Sequence, residues 1–375
     1  MLLLATKVWE QRKLLKVCKK EDNKRIPIKE QERKEGNTPY FGANGIQGYI
    51  DGYTHDGTNI LIAEDGANNV KNYPIKLITG KIWVNNHAHV LNVNTKTNNG
   101  NFLVGAIKKI NFYRYLVGSS RYKLTAESLS QVKIEITEQS EQEKIGELFK
   151  SIEELLTLYE RKTRLLSKLR TFLTQRLFSN SSKVSLYFDN KNWSKHKISE
   201  FLTERNEKVI PNPSIPLVSF TVEKGVTPKS KRYNREFLVK DDKKKYKITK
   251  KNDIVYNPAN LKFGAIARNK FGNAAFSPIY VTFITKLNPV FTEFLVRRKD
   301  FIKLALKYQE GTVYERMAVK SKDFLSLKIY LPNSSRDINH IAQILQSLDT
   351  LVSLNKNKIS LITLIKKELL NTMFI

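Results

Sequence analysis

The residues in this chain that could do chemistry are few, and most read better as structure. His87 and His89 alternate along an expected strand beside Asn85 and Asn86. A metal site would need a third ligand at matching spacing, and none stands out. Solvent-facing or hydrogen-bonded histidines are the expectation. Glu64-Asp65-Gly66 offers paired carboxylates for acid–base work or Mg2+, yet Asp-Gly at a strand end is a common turn. Asn257-Pro258-Ala259-Asn260 matches two of the four residues with which adenine methyltransferases grip a base. No glycine-rich cofactor loop precedes it, so it reads as a turn. GxxxxGK[ST] loops, GxGxxG turns and GxSxG elbows are absent. No catalytic residue and no metal ligand is assigned.

Binding chemistry is plainer. The chain carries 65 Lys and Arg against 36 Asp and Glu, a net charge of +29 over 375 residues. Such an excess repels itself in a compact fold and implies a polyanionic partner. Between Lys224 and Lys251 stand 12 cations against three acids, with Tyr233, Phe237 and Tyr246 interleaved, which suits a phosphate-tracking surface. Reading a sequence of bases also needs side chains on loops that enter a groove. The candidates in the first half are Tyr40, Asn44 and Gln47 in a glycine-rich turn, and Ser119, Ser120, Arg121 and Lys123 in a polar loop opened by Gly118. In the second half they are Lys229, Lys231, Arg232 and Arg235, with Thr312, Tyr314 and Arg316 in the matching loop opened by Gly311.

What must position these loops is a repeat. From Glu141 to Phe178 runs a proline-free stretch with Ile145, Leu148, Ile152, Leu155, Tyr159, Lys162, Leu166, Leu169 and Leu173 at 3-4 spacing, one face of a long helix. Adding 196 to each number gives Ile341, Ile344, Leu348, Leu351, Asn355, Lys358, Ile362, Ile365 and Leu369. A repeat of this kind sets the architecture. Both seams turn polar midway, at Tyr159 and Lys162 and at Asn355 and Lys358. Antiparallel packing would bring those layers face to face and fix the register. At 1.5 Å per residue each helix would be a rod of about 57 Å.

The bodies before the helices repeat as well. Trp9 to Leu14 is answered by Asn192 to Ile198, and Asn59 to Ala63 by Asp253 to Asn257. The expected strand Lys81–Leu91 is answered by Pro278 to Phe283, and the expected helix Asn101–Leu116 by Phe291 to Leu306. Val132 to Ile136 is answered by Leu327 to Leu331. The expected fold class is α/β (α+β): two globular bodies with curved, mostly antiparallel sheets, joined by two long antiparallel helices. The boundaries are 1–140, 141–180, 181–336 and 337–375. A single cysteine, Cys18, excludes an intramolecular disulfide and a thiolate zinc cluster. No apolar run approaches membrane-spanning length, and the opening Met1-Leu-Leu-Leu-Ala is too short for a signal peptide core, so a cytoplasmic protein is expected.

Trp9-Glu-Gln-Arg-Lys-Leu14, Pro39-Tyr-Phe-Gly42, Ile60-Leu-Ile-Ala-Glu-Asp-Gly66, Gly118-Ser-Ser-Arg121, Glu141-Gln-Glu-Lys-Ile145 and the repeated helix together resemble the DNA-specificity subunit of Type I restriction-modification systems. Tyr256-Asn-Pro258, Gly264-Ala-Ile266 and Ser277-Pro-Ile-Tyr280 look like another common version of its target-recognition domain. The resemblance covers nearly the whole chain. It implies a non-catalytic phage-defence protein in which each target-recognition domain reads one half of an asymmetric split DNA target. The helices would space the domains and dock two methyltransferase subunits. S-adenosylmethionine, ATP and Mg would belong to those partners and to restriction/translocase subunits, with no cofactor in this chain. Two features depart from the family pattern. The chain begins almost at Trp9, short of the usual leader, and the second helix opens Asp337-Ile-Asn-His. A reading from another class, an RNA-binding or ribosome-associated protein with a rigid helical arm, accounts for the charge and the rod but not for two variant bodies in one order.

Overall fold

The computed structural model describes residues 9–70, 72–119, 121–178, 193–228, 244–310 and 317–374. The chain divides into two units, Met1–Arg161 with Asn355–Ile375, and Lys162–Leu354. The first holds β1 (Glu10–Lys13), α1 (Leu14–Val17), β2 (Cys18–Lys20), β3 (Thr38–Gly42), β4 (Gly45–Ile50), β5 (Thr58–Ala63), β6 (Ile75–Thr79), β7 (Trp83–Val84), β8 (Ala88–Val93), α2 (Gly100–Lys108), α3 (Ala126–Gln131) and β9 (Lys133–Ile136). Helix α4 (Gln139–Leu177) follows. The second unit holds β10 (Trp193–Lys197), β11 (Leu202–Glu204), β12 (Lys208–Val209), β13 (Val218–Thr221), β14 (Gly225–Pro228), β15 (Tyr246–Thr249), β16 (Ile254–Tyr256), β17 (Ile266–Arg268), β18 (Ala274–Phe276) and β19 (Val281–Thr285). It continues with α5 (Pro289–Val296), α6 (Lys299–Leu306), β20 (Gln309–Glu310), β21 (Ala318–Val319), α7 (Ser321–Ser326) and β22 (Lys328–Pro332), before helix α8 (Ser335–Met373).

Both units follow one α+β plan. In each, the opening strand pairs antiparallel with the closing one, β1 with β9 and β10 with β22. The main sheets have the orders β2-β8-β5-β6 and β11-β19-β16-β17, and both are open and antiparallel. Strands β5 and β16 are central, which is why Asn59-Ile-Leu-Ile-Ala63 and Ile254-Val-Tyr256 are buried throughout. Smaller sheets, β4-β3-β7 and β12-β15-β18, accompany them; β3 and β7 are parallel. Asparagine caps α2 and α5 alike: the Asn99 side chain accepts from Asn101 N and Phe102 N, that of Asn288 from Val290 N and Phe291 N. Gly146 gives Asn99 room, since a Cβ there would lie 2.2 Å from Asn99 Oδ1.

Several local expectations change. The segment Lys81–Leu91 is two strands, because the Asn85 side chain accepts from His87 N (2.9 Å) and turns the chain between them. The helix expected over Asn101–Leu116 ends at Lys108; Asn111 opens a separate short turn by accepting from Tyr113 N. Phe291 to Leu306 is broken by the extended backbone of Arg298 (ψ 140°). Helix α3 was not anticipated.

The long helices carry the largest correction. Ile145, Ile152, Tyr159, Leu166 and Leu173 do lie on the covered side of α4, but Leu148, Leu155, Lys162 and Leu169 are exposed. Their places are taken by Phe149, Leu156, Thr163 and Arg170. Helix α8 shows the same one-residue shift. Ile341, Leu348, Asn355, Ile362 and Leu369 are covered, whereas Leu351, Lys358 and Ile365 are exposed and Ile344 only half-buried, with Leu345, Val352, Ile359 and Lys366 turned inward. Aromatic packing sets the phase in the first unit: Phe149 reaches the ring of Phe374 at 5.6 Å, which Leu148 could not do from its side of the helix.

Within the first unit the helix segments run antiparallel. Glu153 meets Lys366, and Lys358 lies over the Tyr159 ring at 5.4 Å, so one number falls as the other rises. In the second unit Arg170 pairs with Asp349 at 2.6 Å. These are the same pair in duplicate, since adding 196 turns Glu153 into Asp349 and Arg170 into Lys366. The helix ends match too: Phe374 packs on Phe102 at 5.2 Å in the first unit, and Phe178 on Phe291 at 5.1 Å in the second.

Candidate nucleic-acid interface

In the first unit the β3–β4 hairpin turns at Ala43-Asn44, with Gly42 opposite Gly45. Gly45 has φ +128°, a conformation that favours glycine. Tyr40 pairs with Gly48 but Phe41 with Ile46, so Gln47 is an extra, bulged residue. Its Oε1 accepts from Asn85 Nδ2 (3.3 Å), and its amide lies over Gly42, where a Cβ would come within 2.4 Å of it. Asn44 donates to the Gly66 carbonyl (2.9 Å) and accepts from Asn68 N (3.0 Å). The hairpin tip is thereby tied to the loop after β5.

Asp65 in that loop gathers the Gly118 loop as well. It accepts from His87 Nδ1 at 2.5 Å and from Arg121 Nη2 at 3.1 Å, while Lys123 Nζ stands 3.1 Å from Glu64. Val117 and Lys123 exchange backbone hydrogen bonds, closing the loop. Gly118 (φ +93°) is required there, since a Cβ would meet the Arg121 carbonyl at 2.7 Å.

Beneath lies a buried ionic cluster. His89 Nδ1 faces Asp22 at 2.7 Å, its Nε2 faces the Leu124 carbonyl at 2.8 Å, and Arg25 donates to Glu64 at 2.6 Å. Burial acts to raise the Asp22 carboxyl, but hydrogen bonds from His89 and the Val90 backbone, with the charges of His89 and Arg25, hold it below the usual range. Glu64 is likewise depressed: burial opposes ionisation, and the bonds from Arg25 and Lys123 outweigh it. Asp22, Glu64 and His89 offer ligand atoms within 4.8 Å of one another. The guanidinium of Arg25 and the ammonium of Lys123 already supply the positive charge that a metal would bring. The cluster reads as a brace under the loops, and both histidines are hydrogen-bonded, as expected.

Asn44, Arg121 and Lys123 are thus brought together around Asp65-Gly66, with Ser119 exposed in the same loop, while Gln47 is held at Gly42 and Asn85 in the hairpin. Tyr40 does not join them. It is 1% exposed on β3, its hydroxyl is engaged by the Ile28 backbone, and the Arg33 guanidinium lies 4.0 Å from its ring. Tyrosine suits a core position and a surface one equally, so sequence could not separate them. Ser120, Lys229, Lys231, Arg232, Arg235, Thr312, Tyr314 and Arg316 lie outside the described residues. Lys76 was missed: its ammonium sits 2.8 Å from the Cβ position of Gly45, at the hairpin tip. Only the antiparallel pairing of β5 with β6 brings it there.

In the second unit several of the described cations are structural. Arg205 donates twice to Asp253, at 2.8 and 3.0 Å, and Glu293 collects Arg268, Lys270 and Arg297. Asn257 accepts from Ala259 N at the end of β16, so Asn257-Pro258-Ala259-Asn260 is the turn expected of it. No helix among the described residues is long and apolar enough to cross a membrane.

The family model described as Type I restriction modification DNA specificity domain matches residues 6–167. A putative type I restriction enzyme specificity subunit of Haemophilus influenzae is 44% identical over 131 residues, 35% of this chain and 34% of that protein. The match therefore spans about a third of the length of that curated relative. The crystal structure of a Type I restriction-modification system S subunit from M. genitalium superposes at TM-score 0.74 with 16% identity, covering 100% of this chain and 98% of that one. Residues 6–167 are thus similar to the Type I restriction modification DNA specificity domain, and the whole chain shares its fold with that S subunit structure.

Proposed function

We propose that this chain is the DNA-reading, non-catalytic subunit of a Type I restriction-modification complex, each unit reading one half of an asymmetric bipartite target. One observation carries the reading: a single sheet plan and a single helix motif occur twice, with different loop residues each time, in a chain of net charge +29. A duplicated frame with divergent loops suits two different half-sites. Asn44, Gln47, Ser119, Arg121 and Lys123 are the first unit's proposed DNA-facing set. Arg121 is paired at the surface, where such bonds are weak and exchange readily for phosphates, and the Lys123 ammonium, half-exposed over Glu64, keeps donors toward solvent. Lys229, Lys231, Arg232 and Arg235 are proposed to track phosphates in the second unit.

The helices would set the spacing of the half-sites and dock two modification subunits. Exposed leucines support docking: Leu148, Leu155 and Leu158 with Leu361 and Leu364 in the first unit, and Leu165, Leu169 and Leu351 in the second. Apolar rows of this extent mark interaction surfaces. S-adenosylmethionine, ATP and Mg2+ would be held by the partner subunits. Charge reversal at Lys229, Lys231, Arg232 and Arg235 tests the reading. DNA affinity should fall, and the slope of log affinity against log salt should flatten by up to about 0.9 for each phosphate no longer neutralised. Unchanged binding across several salt concentrations would remove that surface.

A further inference from the structure

Resting on the DNA-reading proposal, we infer that the first unit reads thymine through the apolar side chains of Ile46 and Tyr49. Asn44 uses both its oxygen and its nitrogen to hold Gly66 and Asn68, and the Gln47 oxygen accepts from Asn85. Beside them the hairpin exposes two large apolar side chains. Ile46 is 51% exposed and Tyr49 58% exposed. They lie three residues apart, a spacing that would put them on opposite faces of a regular strand. The extra residue at Gln47 removes that mismatch: Ile46 stands opposite Phe41 and Tyr49 opposite Pro39, and residues 39 and 41 share a face.

Strand β4 is the edge of its sheet. Large apolar groups on an open edge invite association unless something covers them. The surroundings choose the cover. Lys76 stands at the hairpin tip, and Asn44 ties that tip to Gly66, in the loop whose Asp65 holds Arg121. Cations flanking an apolar ridge suit a duplex whose phosphates meet Lys76 and Arg121 while the ridge enters the groove. There the thymine C5-methyl is the one apolar feature on a base edge in the major groove.

The test uses the full-length chain. A library of random duplexes first yields the preferred sequence, and each thymine in it is then replaced by deoxyuridine, which lacks only the methyl. The wild-type chain should lose about fourfold in affinity at one or two positions, the transfer value of one methyl group. Ile46→Ala or Tyr49→Ala should bind the thymine and uracil duplexes alike at those positions, with an unchanged salt dependence. A preferred sequence with no thymine sensitivity overturns the inference alone, as does sensitivity that survives in both variants. Failure of the wild-type chain to select any sequence brings down the DNA-reading proposal and this inference with it.

Discussion

Truncating Phe374 to alanine should unseat the end of α8 from the first unit without touching the second. The side chain is 2% exposed and lies among Trp9, Phe102 and Phe149, with ring centroids at 6.0, 5.2 and 5.6 Å. Gly105 exists to admit it, since a Cβ there would come within 2.5 Å of the ring. Removing a fully packed phenylalanine costs about 3–5 kcal/mol in lost transfer energy and residual cavity. The bonds from Lys109 Nζ to the carbonyls of Asn371 and Phe374, at 3.1 and 2.6 Å, are to backbone and should persist. The loss is therefore one of packing. For a body of this size each kcal/mol lowers the midpoint by about 2–4 °C, so the first unit's transition should fall by about 6–20 °C in scanning calorimetry. Phe178→Ala, which removes the ring against Phe291 and under Arg298, should lower the other transition instead. A Phe374→Ala chain melting within about 2 °C of wild type would refute the anchoring role.

Four further outcomes follow from particular residues. His55 is 2% exposed, and burial pushes its pKa below the ordinary 6.5; below that pH the unfolded chain takes up a proton that the fold resists, so first-unit stability should decline as pH falls from 7 to 5. His55→Asn should flatten that slope in melts across the range, and an unaltered slope would exclude His55 as its source. The depressed Asp22 and Glu64 act the same way further down, their contribution being full above about pH 4.5 and lost on acidification. Asp253→Ala removes two of the bonds that Arg205 donates, leaving the one to Glu207 at 2.7 Å, and should cost the second unit about 1–3 kcal/mol by urea denaturation; a change below about 0.5 kcal/mol would contradict it. Gly146→Ala drives a Cβ into Asn99 Oδ1, so the α2 cap should be lost for about 1–2 kcal/mol, seen as faster hydrogen exchange at Asn101 and Phe102.

Periodicity made the long helices and their duplication legible, because apolar residues alternating at three and four leave a trace over 39 residues. It did not fix which flank was covered. Leu148 and Phe149, or Leu155 and Leu156, are equally apolar neighbours, and only the reach of Phe149 to Phe374 decides between them. The glycine-rich turn at Asn44 was legible, yet Asn85 and Asn111 broke an expected strand and an expected helix through side-chain bonds that no propensity records. The brace under the loops was invisible for another reason. Asp22, Glu64 and His89 are far apart in sequence, and the order β2-β8-β5-β6 is what assembles them. Ile46 and Tyr49 read as ordinary strand residues until the bulge at Gln47 places them on one face.

Two copies of one frame are proposed to read two different half-sites. The direct measurement is a map of methylated adenines in cells carrying Type I modification subunits with this chain, and with a chain whose residues 181–335 come from a Type I specificity subunit. One half of the methylated sequence should change while the other half stays as it was. A change in both halves, or in neither, would contradict the account.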